Sequence, residues 1–171
     1  SRSYGSATRK RVADCRQVAV IGTGALANEL LKFLADGSRQ VDLWGRRTAS
    51  EVRYPSGVTY RQLGDSTAMP PSHVPAAIVI AAPVPSVVVD DVARRYAGLC
   101  RVADLRGETD LGPLDVAAPV VRLAELFAEI EAARRDSVEH IDAARAGVLG
   151  LSREYALRAE PHPFGWDDLC A

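Results

Sequence analysis

Two short stretches carry residue types whose spacing suits a phosphorylated ligand. The first is Gly22-Thr23-Gly24-Ala25-Leu26-Ala27, where Gly22, Gly24 and Ala27 stand in G-x-G-x-x-A spacing. In such a turn the first glycine makes the tight bend. The second lets the backbone approach a pyrophosphate, and the third small residue lets a helix pack on a strand. The second stretch is Gly45-Arg46-Arg47-Thr48. A guanidinium fork matches phosphate geometry and keeps its charge, so Arg46 and Arg47 suit a ribose 2′-phosphate or the face of an adenine. The residues expected to bind a dinucleotide are therefore Gly22, Thr23, Gly24, Ala25 and Leu26 on one loop and Gly45, Arg46, Arg47 and Thr48 on another. The bland readings are a structural glycine turn and plain surface charges.

The surrounding pattern supplies elements that would position these loops. Gln17 to Ile21 is an unbroken apolar run suited to a central parallel strand, and the helix expected from Ala25 to about Ala35 repeats Leu26, Leu30, Phe33 and Leu34 at helical spacing. Asp36-Gly37 ends it. A second strand, Gln40 to Trp44, feeds the arginine loop. Asp42 lies about where a ribose-binding acid is counted from Gly22, but it stands mid-strand rather than at the carboxyl end, so it is set aside in favour of the arginines and of NADP over NAD. From Glu51 to Pro75 the chain is broken by prolines and glycines, with a short strand at Val58 to Tyr60 and an exposed loop histidine at His73. Too little sequence separates this strand from the second for a full crossover helix.

A fourth strand, Ala76 to Ala81, meets Ala82-Pro83-Val84-Pro85, and Ser86 is a plausible cap for a helix reaching Gly98. Ala82 and Pro83 would abut the cofactor without offering a side chain for chemistry. A fifth strand, Leu99 to Leu105, holds Cys100 in a buried position and ends beside Asp104, whose following polar loop, Arg106 to Asp110, would face the nicotinamide end. A sixth strand, Val120 to Leu123, leads into a helix from Ala124 to Gly147 whose stripe of Leu123, Leu126, Phe127, Ile130, Val138, Ile141 and Val148 predicts self-association or packing on the domain's own core. Strands alternating with helical connections make the doubly wound α/β pattern.

Composition is that of one ordinary globular domain. The chain has 171 residues, 47% hydrophobic and 25% charged, with a formal net charge of -1. That balance offers no global field for DNA or RNA, and the basic cluster Arg2, Arg9, Lys10 and Arg11 reads as a solvated lead-in helix. No run reaches the ~18 apolar residues of a spanning helix. Cys15, Cys100 and Cys170 are far apart and odd in number, fitting neither a disulfide framework nor a zinc site. A reducing cytoplasm and no metal are the expectation. The chain begins at Ser1 without a methionine, leaving room for a preceding segment. His140 reads as solvated, and His162 with Cys170 on a Pro/Gly-rich tail does not make a site.

Residues 1 to about 148 resemble the NADP-binding domain of the glutamyl-tRNA reductase family. The likeness rests on the serine-rich lead-in, the glycine turn, Gly45-Arg46-Arg47-Thr48 where that family has Asn-Arg-Thr, and Asp104-Leu105 followed by Asp110-Leu111. It implies an α/β fold, a Rossmann-like doubly wound parallel sheet with a long C-terminal helix. Residues 1–123 would form the NADP-binding domain, 124–148 a long helix able to make a homodimer or bind a partner protein, and 149–171 a tail. It also implies hydride supply to an activated carboxyl group in tetrapyrrole biosynthesis. Glu108-Thr109 stands where the family has Pro-Arg, and Ala82-Pro83 replaces its hydroxyl-bearing residues. The family's nucleophilic cysteine belongs to a preceding domain, and none of the three cysteines here fits its motif, so the catalytic domain or subunit would be separate. The other reading is a non-catalytic nucleotide-binding scaffold or regulatory subunit.

Overall fold

The computed structural model describes residues 3–65, 73–107 and 111–158. Glu108, Thr109 and Asp110, and the tail with His162 and Cys170, lie outside the described residues. The chain divides into two compact units, Ser1–Glu131 and Ala132–Ala171.

In the first unit the uninterrupted apolar runs become the centre of a parallel sheet. β1 (Gln17–Ile21) and β4 (Ala76–Ile80) are buried along their whole length, as strands covered on both faces must be. They pair with each other in the middle of a six-stranded sheet of order β3-β2-β1-β4-β5-β6, completed by β2 (Gln40–Gly45), β3 (Val58–Gln62), β5 (Leu99–Asp104) and β6 (Val120–Arg122). Every pairing is parallel, so all strand carboxyl ends lie along one edge. The order reverses between β1 and β4, which makes the crevice above them the topological switch point.

One face of the sheet is covered by α1 (Tyr4–Arg11), α2 (Ala25–Leu34) and the start of α4 (Leu123–Arg158), around a core that includes Val18, Val20, Leu30, Leu34 and Leu126. The other face is covered by α3 (Ser86–Ala93), with Ile21, Trp44, Ile78, Val89 and Tyr96 at its centre. Between β2 and β3 the chain makes only the single turn of 3-10 helix Ala49–Glu51, the abbreviated connection that the short spacing predicts. α1 turns Gly5, Ala7 and Thr8 inward, so small residues rather than large apolar ones make its contact face, and Gly5 lies against the Phe33 ring. Two of its basic residues are engaged within the chain, Arg9 with Asp36 at 2.8 Å and Arg11 with Glu129, while Lys10 is exposed. The lead-in is thus a helix packed on the domain through its small residues, with its basic side chains outward.

Four expectations are corrected. The helix expected to reach Gly98 ends at Ala93. Ser86 is not the cap of α3; Pro85 occupies that position, and the buried Ser86 hydroxyl instead donates toward the carbonyls of Leu111 and Gly112, at 2.8 and 2.7 Å. Cys100 is exposed rather than buried. Ala76 pairs with Leu99 and Ala77 with Arg101, so Cys100 is the extra residue of a β-bulge, which breaks the alternation that would have turned it inward. α4 does not stop near Gly147 but continues to Arg158. Each interior glycine costs a helix about 1 kcal/mol, which the alanine, leucine and arginine around Gly147 and Gly150 can offset.

The stripe along α4 divides accordingly. Leu126 is fully buried, and Leu123 and Ile130 pack on the core of the first unit. In the second unit Val138, Ile141, Val148, Leu149, Leu151 and Tyr155 are exposed.

Candidate functional site

The loops at the carboxyl ends of the strands are tied to one another by backbone hydrogen bonds. The Gly22 N–H donates to Trp44 O at 2.8 Å, Ala81 N–H to Ile21 O at 2.8 Å, and Leu105 N–H to Ile80 O at 3.0 Å. These ties bring the glycine turn, the arginine loop, the β4 turn and Asp104 to one edge of the sheet, although they are separated in sequence.

The two glycines of the turn have different physical reasons. Gly22 has φ of +122°, and a Cβ there would stand 2.7 Å from Ala82 Cβ. The fold alone therefore demands glycine, and Ala82 packs against it. Gly24 has ordinary φ of -84°, and a Cβ there would meet nothing within 4 Å. No contact within the domain requires glycine at that position. It is the N-cap of α2, supplies no side-chain oxygen to the first turn, and is exposed together with Ala25. The leading N–H groups of a helix have no intrahelical acceptor and carry its positive dipole end, so the space over Gly24, Ala25 and Leu26 suits an anion. Ala27 is fully buried where α2 crosses the sheet.

The arginine loop leaves the end of β2 beside this turn. Gly45 is buried, and a Cβ on it would come within 2.5 Å of both Thr23 Cγ2 and Tyr60 Oη. The loop backbone is held by Tyr60, whose hydroxyl donates to Arg47 O at 2.6 Å, and by Gln62, whose amide donates to Arg46 O at 3.4 Å. Arg46, Arg47 and Thr48 are exposed. The Thr48 hydroxyl and N–H both donate to Glu51 Oε2, at 2.8 and 2.9 Å. These bonds, with a smaller contribution from Arg47, hold the Glu51 carboxyl below its usual range. Asp42 lies away from this loop in the interior, where it accepts from Gln17 at 2.7 Å, Arg61 at 2.8 Å and Tyr96 at 3.1 Å. Setting it aside as a ribose reader agrees with this burial.

Pro83 is exposed beside the half-buried Ala82 in the β4 turn. Asp104, at the end of β5, is not a free carboxylate. Arg106 grips it with Nε at 2.9 Å and Nη2 at 2.7 Å, and the Arg106 Nη1 group also reaches Val84 O and Ser86 Oγ, at 3.1 and 3.2 Å. Both side chains are largely buried, so this pair fastens the β5 loop to the β4 turn. Next to it a cavity of about 730 Å3 is lined by Arg106, Leu111, Pro113, Arg122, Leu123 and Phe127.

No family model matches the chain, and comparison with curated proteins finds no match. Among solved structures, the nucleotide-binding domain of glutamyl-tRNA reductase from Thermoplasma volcanium superposes with a TM-score of 0.54 at 16% identity, covering 81% of this chain and 99% of that one. The fold is of the Rossmann type. In this Rossmann domain the glycine turn sits at the switch point, with the arginine loop to one side and the β4 turn to the other.

Sequence reading missed several residues that organise the edge. Arg106 stands in the expected polar loop, and the Asp104-x-Arg106 spacing is the local hint of their pairing. Tyr60 holds the arginine loop through a contact that only the β2–β3 pairing creates, whereas Glu51 holds it through a local capping box whose Thr48-x-x-Glu51 spacing is a sequence signal. His73 and His140 are exposed as expected. Among the described residues no cluster of histidine, cysteine or acidic side chains could hold a metal ion, and no helix is long and apolar enough to cross a membrane.

Proposed function

We propose that this Rossmann domain binds NADP(H) and serves a glutamyl-tRNA reductase-like oxidoreductase. The observation that carries the reading is the difference between the two glycines: Gly22 answers to the fold, whereas Gly24 borders open space at the start of α2 and has no internal reason to lack a side chain. A pyrophosphate against the backbone supplies that reason. The N–H groups of Thr23, Gly24, Ala25 and Leu26 would orient it. Arg46 and Arg47 would hold the 2′-phosphate or stack on adenine. Ala82 and Pro83 would wall the ring on the far side without competing for its hydrogen bonds, and the Asp104–Arg106 pair would fix the floor of the nicotinamide end. Bound NADPH would supply a hydride to an activated acyl carbon, such as a glutamyl thioester.

The nucleophile for such chemistry would come from a separate catalytic domain or subunit. Cys15 precedes β1 and Cys100 begins β5, so both described cysteines stand by the amino ends of the strands, across the sheet from the glycine turn. The same placement, with Asp104 and Arg106 satisfying each other, favours a second reading in which the chain is a non-catalytic nucleotide-binding scaffold or regulatory subunit.

Calorimetry with NADP and NAD tests the binding. NADP should bind the more tightly, Gly24→Ala should weaken both by about tenfold or more with melting little changed, and Arg46→Ala with Arg47→Ala should erase the preference. Equal affinities in the unaltered chain would refute the assignment of the arginine loop. Consumption of NADPH with a thioester substrate and a cysteine-bearing partner supports the reductase reading; binding without turnover under any partner leaves the scaffold.

A further inference from the structure

Cysteines 85 positions apart are neighbours in the fold: Cys15 Sγ lies 3.3 Å from Cys100 Sγ. Cys15 is in the link between α1 and β1 and is 4% exposed. Cys100 is exposed, and its thiol donates to Ala76 O at 3.1 Å, leaving its sulfur to accept from Cys15. Buried Cys15 by itself reads as a small apolar side chain. Cys100 does not, because the core does not enclose it. It is the extra residue of the bulge in β5, and bulges re-aim the side chain they carry. The bulge is what puts this sulfur over Cys15.

We propose that Cys15 and Cys100 form a reversible redox site, which a low-molecular-weight disulfide such as glutathione disulfide converts to an intrachain disulfide. Exposure sets the order of events. The Cys100 thiolate attacks one sulfur of the small disulfide; a Cys100–sulfur bond forms, the small disulfide's own bond breaks, and the first small thiol leaves with the proton Cys100 has lost. Cys15 then attacks Cys100 Sγ, displacing the second small thiol, which takes the proton from Cys15. Two protein thiols are oxidised by two electrons, and one small disulfide is reduced to two thiols. The sulfurs must approach by roughly 1 Å to reach the ~2.05 Å of a disulfide, within the range of a side-chain rotation.

The environment of Cys15 makes it a resolving thiol rather than the first nucleophile. Burial, then the hydrogen bond to Cys100 and the charge of Cys100, push the Cys15 thiol up to about 12. Capping Cys100 as a mixed disulfide removes its charge, and with it one of those causes, so the second step is favoured once the first has occurred. Close placement raises the effective concentration of the attacking thiol further.

The test is peptide mapping of the intact chain. After glutathione disulfide treatment, alkylation of remaining thiols under denaturing conditions and non-reducing tryptic digestion, peptides Val12–Arg16 and Tyr96–Arg101 should appear linked to each other, and dithiothreitol should restore both free. In Cys15→Ser the glutathionyl group should persist on Cys100, clearing at least about tenfold more slowly than in the unaltered chain. The proposal is overturned if the unaltered chain yields Cys100 glutathionylated with Cys15 alkylated, both cysteines alkylated, or Cys100 linked to a second chain. The mapping needs no substituted protein, so the outcome stands even if Cys15→Ser fails to fold.

Discussion

The Thr23 methyl group stands over Gly45, 2.5 Å from where a Cβ on that residue would be. The turn after β1 and the loop after β2 therefore share one packing contact, with the Tyr60 hydroxyl closing the same space from β3. Gly45→Ala should push Thr23 and Tyr60 apart, costing roughly 1–3 kcal/mol by overpacking. It should also weaken dinucleotide binding by about tenfold, because both loops lose their register. Thermal melting beside calorimetric titration checks this, and an unchanged affinity would show that the contact does not govern the ligand.

Asp42 is predicted to matter for stability and not for cofactor choice. Its carboxylate is fully buried and accepts from Gln17, Arg61 and Tyr96, whose hydroxyl in turn accepts from Trp44 Nε1 at 2.9 Å. Asp42→Ala removes the anion facing Arg61 and should cost roughly 3–5 kcal/mol in urea unfolding. The ratio of NADP to NAD affinity should stay where it was. A shift in that ratio would return Asp42 to consideration as a ribose reader.

Reduced protein should lose stability in alkali. Burial raises the Cys15 thiol from 9.0 to about 12, and burial, with Asp42 nearby, raises the Tyr96 hydroxyl above its usual 10.0. The native state keeps both protons after the unfolded chain has begun to release them. Their stabilisation is therefore complete below about pH 9 and declines as pH rises toward the native values. Urea midpoints under reductant should fall from pH 9 upward, and Cys15→Ala should flatten the first part of that decline.

Self-association is proposed through the exposed part of α4, with a second copy of the chain as the partner. Ser137, Ile141, Ala144, Val148, Leu151 and Tyr155 alternate at spacings of four and three, the seam of a coiled coil, and the small Ser137 and Ala144 allow close approach. Ile141→Asp with Val148→Asp should convert a dimer to a monomer in light scattering while the far-ultraviolet signature of the Rossmann domain persists. A monomer before substitution would reject the seam. Ile130→Asp is the poorer test, since Ile130 packs on the core of the first unit.

Much of this molecule is legible in the order of its residues. The apolar runs at Gln17–Ile21 and Ala76–Ile80, the G-x-G-x-x-A turn and the alternation of strands with helices determine a doubly wound parallel sheet, because period and punctuation are local properties of a chain. The arginine loop is visible for the same reason. Where an element stops is less so: Gly147 reads as a terminator, yet α4 runs on to Arg158, because neighbouring helix formers outweigh Gly147 and Gly150. Only the tertiary structure decides which residues meet. Arg106 takes Asp104 out of solution, Thr23 sits over Gly45, and a one-residue bulge in β5 turns Cys100 from an expected core position onto Cys15. The last two depend on the register between strands distant in sequence, and register is set by the packing of whole faces rather than by any local signal; the first is local in sequence but is fixed by the β4 turn, where Arg106 also reaches Val84 and Ser86.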